Sequence, residues 1–105
     1  MRKITEDAIR AFRNGTNFKR GNTKVECHME VTGQVNKLFL HGHLIAQFAA
    51  GDFIISSAGW NTTTTKERLN GFPTVNIVQK DFQWFLNGEA WNGEWIQPSA
   101  MNAAN

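Results

Sequence analysis

Three stretches of this sequence bring chemically capable side chains close together. In His41-Gly42-His43 two imidazoles at i and i+2 can share a metal ion on one face of a strand. The glycine between them marks a turn and no third ligand is suitably spaced, so the expectation is no metal centre. In Glu26-Cys27-His28-Met29-Glu30 an extended backbone puts Glu26, His28 and Glu30 on one face, a carboxylate–imidazole array able to exchange protons. Cys27 then points the opposite way. A solvated strand face accounts for the same pattern and is the reading adopted. In Trp60-Asn61-Thr62-Thr63-Thr64-Thr65-Lys66-Glu67-Arg68 hydroxyls surround a helix start, with Lys66 and Arg68 nearby. Free N–H groups and hydroxyls there suit a phosphate, although threonines that only cap the helix explain the string equally well.

Sharper catalytic signatures are missing. The chain has no Gly-x-Ser-x-Gly, no His-Glu-x-x-His, no phosphate-binding Gly-x-x-x-x-Gly-Lys, no Cys-x-x-Cys and no Gly-x-Gly-x-x-Gly. The expectation is a protein that is not an enzyme and needs no cofactor. Charge offers a binding alternative. Residues 1–24 carry Arg2, Lys3, Arg10, Arg13, Lys19, Arg20 and Lys24 against Glu6 and Asp7, while the remainder is net acidic. Arg10, Arg13, Lys19, Arg20 and Lys24, joined by Lys66 and Arg68, are the candidate nucleic-acid contacts. The last quarter is rich in aromatics (Phe82, Trp84, Phe85, Trp91, Trp95), but its only charges after Lys80 are Asp81, Glu89 and Glu94. Base stacking interleaves rings with cations, so these rings read as core or as a protein-binding patch.

The elements that position these groups follow from periodicity. Ile4, Ala8, Ile9 and Phe12 recur at helical spacing over residues 4–13, with Thr5, Glu6 and Asp7 at the start and Asn14-Gly15 as the stop. Residues 16–23 read as a loop. The period then becomes 2: Val25, Cys27, Met29 and Val31 form the expected inward face of a strand over Thr23 to Val31. Strands over 36–41, 44–48 and 53–57 follow in meander order. Thr64 to Glu67 matches a capping box and opens a short helix ending at Asn70-Gly71. Strands over 75–78, 82–86 and 89–91 complete about seven.

Two hairpin registers are specific. An Asn87-Gly88 two-residue loop sets Leu86 opposite Glu89, Phe85 opposite Ala90 and Trp84 opposite Trp91. An Ala50-Gly51 loop sets Phe48 opposite Phe53. Alternation turns Phe82, Trp84 and Leu86 toward the core and Gln83 and Phe85 away. Asn92-Gly93 reads as a second tight turn.

Length and composition bound the class. The chain has 105 residues, 41% apolar and 19% charged, with a formal charge of +2. That is enough to bury one core and argues against disorder. The expected architecture is one α+β domain over residues 1–98: an N-terminal helix on a small, mostly antiparallel sheet, with one short inserted helix. Residues 99–105 read as a flexible tail. Neither a secretory signal nor a transmembrane run is evident, and a lone Cys27 fits a reducing cytoplasm.

The blocks Leu38-Phe39-Leu40-His41-Gly42 with Leu44-Ile45-Ala46, Ala58-Gly59-Trp60 with Thr64-Thr65-Lys66-Glu67-Arg68-Leu69-Asn70-Gly71, and Trp84-Phe85-Leu86-Asn87-Gly88 with Trp91-Asn92-Gly93 form a composite pattern. Over about residues 2–97 it resembles a group of small proteins of tailed bacteriophages and prophages. The resemblance implies a phage origin and the host bacterial cytoplasm as workplace. Small accessory phage proteins as a class commonly bind and disable host proteins. With no catalytic constellation, a small sheet and charge segregated by sign, the expected partner is a host protein or ribonucleoprotein complex. Inhibition of a defence system, anti-CRISPR-like, or host takeover is the expected role. The candidate partner-binding residues are Trp60, Thr63, Thr64, Lys66, Arg68, Glu89, Glu94 and Trp95.

Overall fold

The structure is a computed structural model that describes residues 1–98. The expectation for residues 99–105 lies outside the described residues. Helix α1 spans Lys3–Asn14. Five strands follow: β1 (Phe18–Arg20), β2 (Thr23–Glu30), β3 (Gly33–Leu40), β4 (His43–Ala49) and β5 (Asp52–Ile55). Helix α2 is Thr63–Leu69, and β6 (Ile77–Lys80), β7 (Gln83–Leu86) and β8 (Glu89–Ala90) close the order. The strands form two antiparallel meanders, a five-stranded sheet β1–β5 and a three-stranded sheet β6–β8. That makes eight strands among the described residues instead of about seven. The additional strand is β1, where a loop was expected. Residues 16–23 are polar apart from Phe18 and read as a loop, yet Phe18 to Arg20 pair with Val25 to Thr23 along the edge of β2, and Phe18 packs against the core.

Helix α1 stops at Gly15, whose φ of 72° is the left-handed C-cap that Asn14-Gly15 signalled. Its start differs from expectation. Arg2 is the N-cap and makes no side-chain cap. Thr5 is buried and donates to Glu67 on α2 instead. The α2 cap also moves by two residues: Thr62 Oγ1 accepts from the Thr65 N–H at 3.2 Å, and no capping box forms at Thr64. The Glu67 carboxylate is drawn away by Thr5 and by the Arg2 N–H at 3.3 Å.

One hydrophobic cluster joins both helices and both sheets, from Ala8, Ile9 and Phe12 through Leu38, Ile45 and Ile55 to Leu69, Trp84 and Trp91. The alternating face of β2 enters it only in part. Val25 is buried and Cys27 half-buried, while Met29 and Val31 are exposed. The β2–β3 ladder continues to Glu30 opposite Gly33, so the hairpin runs past the end of the core. Burial pushes the Cys27 thiol up in pKa.

Three of the hairpin turns share one backbone geometry. His41-Gly42, Ala50-Gly51 and Asn87-Gly88 have φ pairs of 52° and 80°, 52° and 82°, and 50° and 91°. Positive φ at both positions is type I′ geometry, and glycine takes the second at little cost. Phe48 therefore faces Phe53, Phe85 faces Ala90 and Leu86 faces Glu89 as expected. Beyond β8 the Trp91 N–H still donates to the Trp84 carbonyl at 3.0 Å, and the two buried indoles lie 6.1 Å apart. Asp81-Phe82 takes the same geometry without a glycine, with φ of 52° and 66°. Phe82 occupies the glycine position of that turn and is 98% exposed, which overturns its expected place beside Trp84 and Leu86.

After Trp91 the chain makes no second hairpin. Gly93 instead crosses to the residues that follow β5, where its carbonyl accepts from the Ser57 N–H at 2.9 Å and from Ser56 Oγ at 3.0 Å. Ile96 then bridges Ile55.

Candidate functional site

The β3–β4 ladder places Leu38 opposite Ala46 and Phe39 opposite Leu44, which leaves Ile45 unopposed on β4. This bulge turns two consecutive residues, Ile45 and Ala46, into the interior. Ile45 becomes the floor of a cleft of about 400 Å³, with Leu40, His41, His43, Ser57, Trp60, Thr62, Thr64 and Thr65 around it. Its far wall is the connection from β5 to α2. Ser56 and Ser57 are buried, Ala58 and Gly59 take φ of 55° and 83°, and the Trp60 N–H returns to the Ser57 carbonyl at 2.9 Å. That tight turn carries Trp60 outward. The indole is 56% exposed and lies 5.6 Å from the His43 ring, tilted by 33°.

The same turn borders a second, smaller groove of about 320 Å³. Ser57, Gly59, Gly93, Glu94 and Trp95 are among its lining residues. Trp95 is 46% exposed. Trp91 is its buried counterpart, its Nε1–H satisfied by the Glu94 carbonyl at 2.9 Å. Two exposed tryptophans thus flank one hydrogen-bonded turn. Glu94 borders the second groove, and Glu89 lies exposed in the β7–β8 hairpin.

The threonine string behaves as a cap. Thr62 and Thr65 hydroxyls lie 3.0 Å apart and satisfy each other, Thr63 is exposed and Thr64 half-buried at the cleft. Lys66 and Arg68 sit in the last turn of this seven-residue helix, so they do not adjoin its start.

Arg68 departs most from expectation. It was a candidate for both binding surfaces, yet it is 1% exposed. Its Nε donates to Thr23 Oγ1 at 3.0 Å, and its Nη1 donates to Thr5 Oγ1 at 3.0 Å and to the Glu67 carboxylate. Asn22 Oδ1 lies 3.5 Å from Nη2. Arg68 therefore joins α2 to α1 and to β2, and it is not available to a partner. Burial alone pushes Glu67 up in pKa, but hydrogen bonds from Thr5 and the Arg2 N–H, with the Arg68 charge, outweigh it and hold the carboxyl below the usual range. The sequence signals Thr5 and Glu67 only as helix-start residues and Thr23 only as the start of a strand, not as partners of Arg68. A signal for the inward turn of Arg68 was present: Thr65, Arg68 and Leu69 follow i, i+3, i+4, and all three are buried.

The basic N-terminal group is partly neutralised. Asp7 pairs with Lys3 at 3.2 Å, Arg10 at 3.3 Å and Arg20 at 2.8 Å, and hydrogen bonds from Arg20 and Lys3 lower its pKa. Lys24 lies 4.9 Å from the Phe39 ring centre and 3.5 Å from Glu26. Arg13 and Lys19 are exposed and without an ion pair among the described residues. The other histidines are accounted for locally: His28 Nε2 meets Glu30 at 2.9 Å, and His41 Nε2 lies 3.4 Å from Asn22. Among the described residues no three metal-ligating side chains converge.

No helix among the described residues is long and apolar enough to cross a membrane. No curated protein and no solved structure matches the chain. A family model does, over residues 1–102, and the phage resemblance carried by the sequence blocks agrees with it. The chain belongs to the family described as Kyanoviridae Gp96 protein.

Proposed function

We propose that this phage protein acts by binding and without catalysis, engaging a host protein or ribonucleoprotein complex in the bacterial cytoplasm. Inhibition of a defence complex or redirection of a host machine is the corresponding role. The observation that carries the reading is the exposed Trp60 at the mouth of the Ile45 cleft, with Trp95 across the same turn. Tryptophan is among the side chains that dominate binding energy at protein interfaces, because it buries a large area at a small entropic cost. Burial of Arg68 and the pairing of Arg10 and Arg20 with Asp7 reduce the cationic surface a nucleic acid would need.

The test is affinity capture from host lysate with tagged protein, run in parallel with Trp60→Ala and Trp95→Ala. A discrete partner retained by the wild type and lost by Trp60→Ala, at unchanged melting temperature, supports the proposal. Recovery of no partner at any salt concentration refutes it. A gel shift with DNA or RNA that weakens steeply with salt assigns the function to nucleic acid instead.

A further inference from the structure

We propose that the chain self-associates, with Phe82 of one copy seated in an aromatic cleft of a second. The cleft, of about 430 Å³, is lined by Phe12, Phe48, Phe53, Phe72, Pro73 and Arg13 among others. Phe12, Phe53 and Phe72 form a three-ring cluster with centre distances of 4.7 to 6.0 Å, two of the three contacts edge-on. A further ring entering beside these and Phe48 continues the same edge-to-face packing.

Phe82 has the form of the missing ring. It stands at the tip of the β6–β7 turn, is 98% exposed, and holds a φ of 66° at a position that favours glycine. In an isolated molecule both the backbone and the hydrophobic effect oppose phenylalanine there. Its own chain buries none of it. Charge selects a second copy as the occupant. The tip carries Lys80 and Asp81, both exposed, and the cleft side carries Arg13 in its lining and exposed Asp52 beside Phe53 in the chain. Neither Asp81 nor Arg13 has an ion-pair partner among the described residues. Asp81 of the inserting copy meets Arg13 of the receiving copy. One ring and its neighbours make a small interface, so the association depends on concentration. It leaves the Trp60 cleft free.

Sedimentation of the full chain from micromolar to millimolar concentration tests this. The expected result is a mass that rises above the monomer, and a Phe82→Gly variant that stays monomeric without a fall in melting temperature. Arg13→Asp and Asp81→Arg each weaken association at least about tenfold, and the double variant restores it. A wild type that remains monomeric throughout overturns the proposal, as does association unchanged in Phe82→Gly. Loss in Phe82→Gly with no rescue by the double reversal overturns it too, because the ring then docks elsewhere.

Discussion

Arg68 Nε donates to Thr23 Oγ1 at 3.0 Å across 45 positions of chain, and the same guanidinium reaches Thr5 and Glu67. A single side chain thus ties α2 to α1 and to the start of β2. Every partner it has is an oxygen, which is how a buried guanidinium compensates for lost water.

Removing that side chain leaves Glu67 without its counter-charge and Thr5 and Thr23 short of a donor. Arg68→Ala is expected to destabilise the fold by about 3–5 kcal/mol, read from denaturant unfolding. Arg68→Lys recovers only part, because one ammonium does not reach the same set of oxygens. Unchanged stability in Arg68→Ala would contradict the buried network.

Glu67 gives a pH signature. Its folded pKa lies below its unfolded value of about 4.5, so its contribution is present above that value and is lost as pH falls through the folded pKa. Melting temperature is therefore expected to decline on acidification below about pH 5, with a shallower decline in Glu67→Gln. Identical acid slopes in the two proteins would rule Glu67 out as the source.

The Trp84–Trp91 pair separates core from interface. Both indoles are buried, so Trp84→Ala is expected to cost about 3–5 kcal/mol in a thermal or denaturant melt. Trp60→Ala is expected to change stability by less than about 0.5 kcal/mol, because its ring is exposed. Equal losses in the two variants would place Trp60 in the core and remove it as a contact residue.

Gly93 holds the turn that presents both exposed tryptophans. Its φ is 95°, and a Cβ there would lie 2.1 Å from Ser57 Oγ. Gly93→Ala is expected to destabilise by about 1–3 kcal/mol and to shift the fluorescence of Trp60 and Trp95 as the turn moves. An unperturbed spectrum together with native stability would show that the turn does not depend on this close approach.

The sequence by itself determined the features that depend on a few neighbouring residues. The stop of α1 at Asn14-Gly15, the Phe48–Phe53 register and the meeting of Trp84 with Trp91 were legible because turn geometry and a period of 2 leave little choice over so short a span. The phage family was legible in the combined blocks, since residues far apart matched one pattern. The tertiary structure alone decided which faces the core covers. The alternation of β2 is intact through Met29, but burial stops at Cys27 because the hairpin outruns the layer packed against it. Phe82 has the spacing of a core residue, yet the Asp81-Phe82 turn carries it into solvent. The cleft beneath Trp60 depends on the Ile45 bulge, which no local residue signals. Arg68 reads as surface by type and as interior by its spacing with Thr65 and Leu69. The arrival of oxygens from Thr5 and Thr23, distant in sequence, is what made its burial tolerable.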